Sequence, residues 1–247
     1  MKYQHQKKIS LVSLLLILPI YYASTSPIQT SAEYKSDVHI DRTVVVYQKE
    51  PIMKESILLT VPVLQQFPEL PRGCEVTSLA MLLNFAGISV DKLTLADEIP
   101  KVPYFSEGYF GNPHQGFVGN MYTYNQSGLG VYHEVIEELA NQYQPGQIEN
   151  LTGDPFSSVQ KKLNAGKPVW VIVGSTFSFL SEDQWETWNT KEGEVKITRR
   201  MHSVLVTGYD ENNVYFNDPF YPDQNKSANF QSFVSSWTQF GSQAISL

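Results

Sequence analysis

The stretch from Gln66 to Gly87 constrains this chain more than any other. Pro68 and Pro71 keep the approach extended and Gly73 lets it turn, so the pattern predicts a helix starting near Cys74. Val76, Leu79, Leu83 and Ala86 recur at helical spacing, and Gly87 is a natural stop. Such a helix has to be buried, and its first turn carries the only cysteine in the chain. Unpaired N–H groups and the helix dipole at that point favour the thiolate, the form that attacks a carbonyl carbon.

The 247 residues suit one domain better than two once the start is set aside. Lys2, Lys7 and Lys8 precede an apolar run from Ile9 to Ala23, and small residues follow. That order reads as an export signal over 1–32. The run is shorter than the roughly 20 residues a spanning helix needs, so no integral membrane domain is expected after its removal. Residues 33–56 form an N-terminal extension in which Val44–Tyr47 reads as either an edge strand or a tether, and 57–247 form the domain. Losing 1–32 takes away three lysines and no acids, moving the formal charge from −7 to −10. A chain that acidic is a poor partner for nucleic acid. An exported chain with one cysteine has no internal disulfide, so the thiol is an inert buried residue, a partner for another chain, or a nucleophile.

Along the chain, Ile57 to Leu64 reads as a strand and Asp91 to Glu98 as a capped helix. Lys101 to Gly130 reads as a long aromatic loop lining a cleft or wrapping the core. Helical spacing returns at 131–143 and again from Asp154, as cap, through Pro155 to Gly166. Pro168–Val173 has the continuous apolar character of a strand buried on both faces, and 175–196 reads as a second loop. Met201–Tyr209 and Val214–Asn217 read as a hairpin around Asp210–Asn213. A short helix over 230–240 and a closing strand at 244–247 complete an α+β order, helices first and an antiparallel sheet later.

A nucleophilic cysteine needs a base, and the base needs an orienting group. His5 lies in the signal, His39 in the extension and His133 on a helix face, while His114 sits in the glycine-rich loop where it could touch a substrate. His202 heads an apolar strand, where an imidazole can be held rigidly with one edge open. Asp218, ending the paired strand before Pro219, is placed to accept the Nδ1 proton of His202, with Asn217 as the alternative. Simple pairing of Tyr209 with Val214 leaves Asp218 three positions from His202, a gap that a bulge, twist or bend must close. The Cys74 N–H and the amide of Gln66 are candidate oxyanion donors, with Gln65 competing because strand alternation turns only one of the two inward. No histidine pair has ligand spacing and no phosphate-cradling glycine motif is present, so neither metal nor cofactor is expected.

These segments together resemble the bacterial double-glycine (bacteriocin-processing) peptidase superfamily, and most closely its stand-alone exported branch. They are Gln66–Gly87, Gly111–Gly119, Met201–Tyr209, Asn217-Asp218-Pro219 and the end around Trp237, Phe240 and Gly241. The likeness spans Ile57 to Leu247 in order. Glu75 follows the cysteine where transporter-linked members usually have glycine, and no transporter domain is attached. The resemblance implies a papain-like fold with Cys74 as nucleophile, His202 as base, Asp218 as orienter and Gln66 as oxyanion donor. The expected protein is a secreted or cell-surface cysteine hydrolase acting on a peptide or protein, cell-wall peptide included. A cell-wall amidase or transferase, or a non-catalytic surface-binding module, are the alternatives.

Overall fold

The computed structural model describes residues 53–247. The predicted signal and the extension up to residue 52, including Val44–Tyr47, His5 and His39, lie outside the described residues. Lys54 is held against the domain by its N–H on Asn164 Oδ1 and by its carbonyl, which accepts from the Tyr209 hydroxyl.

The chain opens with β1 (Ile57–Leu58), α1 (Cys74–Phe85) and α2 (Lys92–Glu98). Four two-residue strands follow: β2 (Lys101–Val102), β3 (Phe105–Ser106), β4 (Tyr109–Phe110) and β5 (Phe117–Val118). Then come α3 (His133–Tyr143), β6 (Glu149–Asn150), α4 (Phe156–Asn164) and β7 (Val169–Gly174). The C-terminal part holds β8 (Glu186–Thr190), β9 (Gly193–Ile197), β10 (Met201–Tyr209), β11 (Asn213–Asn217), β12 (Lys226–Asn229), α5 (Phe230–Gln239) and β13 (Ala244–Ser246).

A seven-stranded sheet in the order β12-β11-β10-β7-β13-β6, with β1 also on β10, is the centre of the molecule. Its pairings are antiparallel throughout. Every residue of β7 is buried, as its unbroken apolar run requires. Trp170 and Ile172 join the core formed with α1, α2 and α3, while Val169, Val171 and Val173 join the one formed with α4 and α5. The period-2 alternation of a single strand thus separates two helix layers.

In α1, Cys74 through Leu83 are all buried. A helix apolar on every side belongs inside a core rather than on its surface. Burying Val76, Leu79, Met81, Leu82 and Leu83 is worth about 1.5–3 kcal/mol each. Their sum matches the whole net stability of a typical domain, so the helix that begins at Cys74 is fixed by the core it completes.

Several segments depart from their sequence reading. Only Ile57 and Leu58 of the predicted 57–64 strand pair with β10, opposite Tyr209 and Gly208, just beyond the last β7 partner at Val206. Pro62 has no N–H to continue a ladder, and the chain runs on extended to Gln66. The loop after α2 is pinned by parallel pairing of β2 with β5 and by a β3–β4 hairpin. The loop predicted over 175–196 contains the β8–β9 hairpin, whose Trp188 stacks on Phe110 at 4.3 Å and meets Tyr104 edge-on. That aromatic cluster, with Val118 and Ile197, docks the two irregular regions on each other. Pro155 rather than Asp154 occupies the cap of α4, and no side chain caps it. Asp91 caps α2 as expected, accepting from the Leu93 and Thr94 N–H groups.

Candidate active site

Cys74 begins α1, 7% exposed. Ser78, one turn on, donates its hydroxyl to the Ser203 carbonyl at 3.2 Å, fixing α1 against β10. The Ser203 backbone N–H in turn acts on the Cys74 sulfur, which places the thiol beside the residue that follows His202.

His202 and Asp218 meet through Nε2 and Oδ1 at 2.8 Å, each only 1% exposed. The register shows how. Tyr209 pairs with Val214 as the simple hairpin requires, but a bulge between Val206 and Gly208 resets the ladder so that Leu205 faces Asn217. The chain then leaves the ladder at Pro219 and turns, with the Tyr221 N–H on the Asp218 carbonyl. The three-position gap is closed by one bulge and one turn. The histidine edge differs from expectation: Nε2, not Nδ1, faces the carboxylate, and Nδ1 has no partner among the described residues. Phe220 stacks on the imidazole at 4.2 Å between centroids and fixes the ring plane.

Asp218 is a strong acceptor. Burial works to raise its pKa, but the bond and charge of His202, the Phe220 N–H at 3.0 Å and Lys226 at 3.5 Å outweigh it and hold the carboxyl below its ordinary value. The Asn217 side chain is bonded elsewhere and not to His202. Its amide donates to the Val61 carbonyl at 2.9 Å and its oxygen accepts the Asn225 N–H, so it ties β11 to the approach strand.

Gln66 is fully buried on the cleft side and Gln65 is exposed, which resolves that choice of side. The Gln66 N–H bonds to the Pro219 carbonyl at 2.9 Å, placing it next to the Asp218 turn. Its Nε2 donates to the Leu70 and Pro71 carbonyls, both at 2.9 Å, leaving Oε1 buried without a partner among the described residues. Exchanging O and N would set an oxygen against two carbonyls, so this orientation stands.

The cleft over Cys74 is a cavity of about 240 Å³ lined by Gln66, Arg72, Tyr124, Arg199 and Phe220 among others. Among the described residues, Arg72 and Arg199 are its only charged lining side chains, on a chain with more acids than bases. Arg72 lies 4.8 Å over the Tyr124 ring and donates through Nη1 to the Asn120 and Thr123 carbonyls. His114 is elsewhere: it pairs with Glu134 at 2.8 Å and lines a different cavity with Trp185 and Phe240.

The thiol departs most from its sequence reading. Burial raises the Cys74 pKa well above the ordinary value, and the Glu75 carboxylate adds to this by charge and by accepting from Sγ at 3.2 Å. Desolvation and a neighbouring anion outweigh the helix dipole. Glu75 is 1% exposed, its carboxyl pushed up to about 7 mainly by burial, and it also accepts the Val131 N–H at 3.1 Å. Gly130 makes room for it, since a Cβ there would collide with Glu75 Oε1 and Met201 Cε. Gly130→Ala is expected to lower stability by about 1–3 kcal/mol, read as a fall in the denaturant midpoint. An unchanged midpoint would mean that Met201 and Glu75 shift aside freely.

A cysteine at the start of a buried helix that packs on the antiparallel strand carrying His202 belongs to a papain-like fold. The chain belongs to the Peptidase_C39 like family, whose model matches residues 58–245, and that family is of peptidase type. It is 48% identical over 179 residues to the uncharacterized protein YvpB of Bacillus subtilis (strain 168), covering 72% of this chain and 70% of YvpB. It is also similar to the crystal structure of a protein from Bacillus anthracis described as a C39-like peptidase. There the identity is 47% and the TM-score 0.77, covering 78% of this chain and 97% of that one.

Proposed function

We propose that this chain is an exported cysteine hydrolase that cleaves a peptide or amide bond through an acyl-enzyme, with Cys74 as nucleophile, His202 as base and Asp218 as orienter. The observation that carries this reading is the bond between His202 and Asp218, which leaves Nδ1 of the ring unengaged among the described residues. A carboxylate only accepts, so in the neutral imidazole Asp218 fixes the proton on Nε2 and leaves the lone pair on Nδ1, the nitrogen that no other described group engages. A buried, unpartnered imidazole nitrogen on the strand against which the Cys74 helix packs is an expensive arrangement for a scaffold and a useful one for proton transfer.

In the reaction the Sγ–H bond breaks as Nδ1–H forms, and Asp218 stabilises the imidazolium. Sulfur attacks the scissile carbonyl, and the oxyanion is received by the Cys74 N–H and by the Gln66 amide once it releases one of its two carbonyls. His202 then protonates the leaving amine, and water resolves the thioester. The two arginines of the cleft, Arg199 shared with Glu186 at 2.9 Å and Arg72 bonded to carbonyls with no carboxylate partner among the described residues, favour substrates with a carboxylate near the scissile bond. The basic start and apolar run of residues 1–32 support export, which would bring wall peptides and extracellular proteins within reach.

The test is hydrolysis of casein, of purified wall peptides and of matched acidic and basic peptides, before and after iodoacetamide treatment. Stoichiometric labelling of Cys74 is expected to stop cleavage, and acidic peptides are expected to be preferred by about tenfold in kcat/KM, equivalent to about 1.4 kcal/mol. Cleavage that survives complete labelling of Cys74 overturns the mechanism; a preference for basic peptides overturns the role given to Arg72 and Arg199.

A further inference from the structure

Glu75 is a buried carboxylate with both oxygens engaged, one on the sulfur of Cys74 and one on the N–H of Val131, a core residue just ahead of α3. The second bond alone would make it a bracket between α1 and the segment leading into α3. The first bond is different in kind, because it occupies the proton that the nucleophile must lose. His202, the other acceptor for that proton, has its Nδ1 unengaged among the described residues. One buried thiol therefore has two candidate proton acceptors, and the structure shows it on Glu75.

Resting on the assignment of Cys74 and His202 just given, we infer that Glu75 is a positioning residue that restrains the nucleophile: it holds the Cys74 thiol protonated and turned away from His202 while the cleft is empty. Activation is then a transfer of partner. The Sγ–H···Oε2 bond to Glu75 is broken, the proton moves from Sγ to Nδ1 of His202, and the thiolate is left facing the substrate carbonyl. The proton lost by Sγ is the one gained by Nδ1 and Glu75 ends the step as it began it, so no extra acid or base enters the balance. The physical reason for such a restraint is that an exposed thiolate is open to oxidation. A secreted protein with no second cysteine has no internal thiol with which to form a disulfide that would protect it.

The groups facing this pair are few. Asp218, just past β11, and the N–H of Ser203, next to His202 on β10, lie on the sulfur's side, Arg72 and Arg199 line the cleft, and the Trp170 Nε1–H donates to the Glu75 backbone carbonyl. The influences on the Glu75 carboxyl itself are burial, its own N–H, the thiol and the Val131 N–H, with no cation among them. Among the described side chains only the thiol is placed to offset its charge, which is why the two groups are tied together.

Glu75→Gln separates restraint from bracket, because the amide oxygen can still accept from Val131 while the charge is lost. In the full chain, the rate of Cys74 alkylation by iodoacetamide is measured from pH 5 to 9 in the wild type, Glu75→Gln, Glu75→Asp and His202→Ala. Glu75→Gln is expected to shift the midpoint at least one pH unit lower and raise the rate at pH 7 about tenfold. Glu75→Asp, one methylene short of the sulfur, is expected to shift the midpoint the same way by less, and serves if the glutamine variant folds poorly. Superimposable profiles for wild type and both Glu75 variants, or slower alkylation in them, overturn the restraint. His202→Ala keeps the two readings apart. If it slows alkylation while the Glu75 variants change nothing, the base assignment stands and the restraint falls. Unchanged alkylation in His202→Ala with acceleration in Glu75→Gln leaves the restraint standing and removes His202 as the base.

Discussion

Cys74→Ala is expected to reduce hydrolysis to background, a loss of at least about 10⁴-fold, because every step of an acyl-enzyme route passes through the sulfur. The fold should survive. The position is in the first turn of α1, and the packing that holds the helix comes from Val76 through Leu83. What the structure loses is one small buried group and the donor on Glu75, a change within about 1–2 kcal/mol. Residual cleavage by the purified variant, followed by mass spectrometry of peptide products, is the measurement. Activity within tenfold of the wild type would exclude covalent catalysis at this residue, and a fully inactive but unfolded variant by near-UV circular dichroism would require Cys74→Ser instead.

The second large effect is at Asp218, where two substitutions part orientation from charge. Oδ1 accepts from both His202 and the Phe220 N–H, and Oδ2 faces Lys226. In Asp218→Asn the new amide can put its carbonyl oxygen in the Oδ1 position and keep both bonds, losing the negative charge and the Lys226 partner. That variant should therefore retain the histidine geometry and lose about 10–100-fold in kcat, the difference between a charge-assisted and a neutral hydrogen bond to the imidazolium. Asp218→Ala removes the acceptor altogether, frees the imidazole to rotate and leaves buried donors unpaired. It should lose about 10³-fold or more in kcat and about 2–4 kcal/mol of stability. Equal losses in the two variants would mean that charge, not orientation, is what Asp218 supplies. The pH dependence follows from the lowered carboxyl. Its stabilising contribution is present above the ordinary aspartate value of 3.8 and is lost as pH falls through the lower folded value. Acid unfolding of Asp218→Asn should accordingly be flatter than that of the wild type below about pH 4.

Much of this site was legible from local pattern. The helix beginning at Cys74 showed itself through proline and glycine before it and apolar spacing within it, and the structure starts α1 at that residue. His202 heading an apolar strand and Asp218 stopping the next one were readable because a hairpin brings neighbouring strands together by short-range chemistry. Gln66 against Gln65 was an alternation question with only two answers. The hairpin over 186–197 was missed because its inward residues, Trp188, Thr190 and Ile197, are separated by charged ones that look like a loop until the 101–118 segment supplies Phe110 and Tyr104 to pack on.

By itself the sequence determined which residues are candidates for the chemistry and roughly where the helices and the β7, β10 and β11 strands begin, because helix spacing, strand alternation and turn residues act over a few positions. Only the tertiary structure decided the bulge that brings Asp218 to His202, the imidazole edge it meets, and the protonation of the thiol. The physical reason is distance along the chain. Burial and the approach of a carboxylate to a sulfur depend on what β7, β10 and the segment at Val131 place around α1, and no local pattern in residues 66–87 records the dielectric in which Cys74 and Glu75 sit.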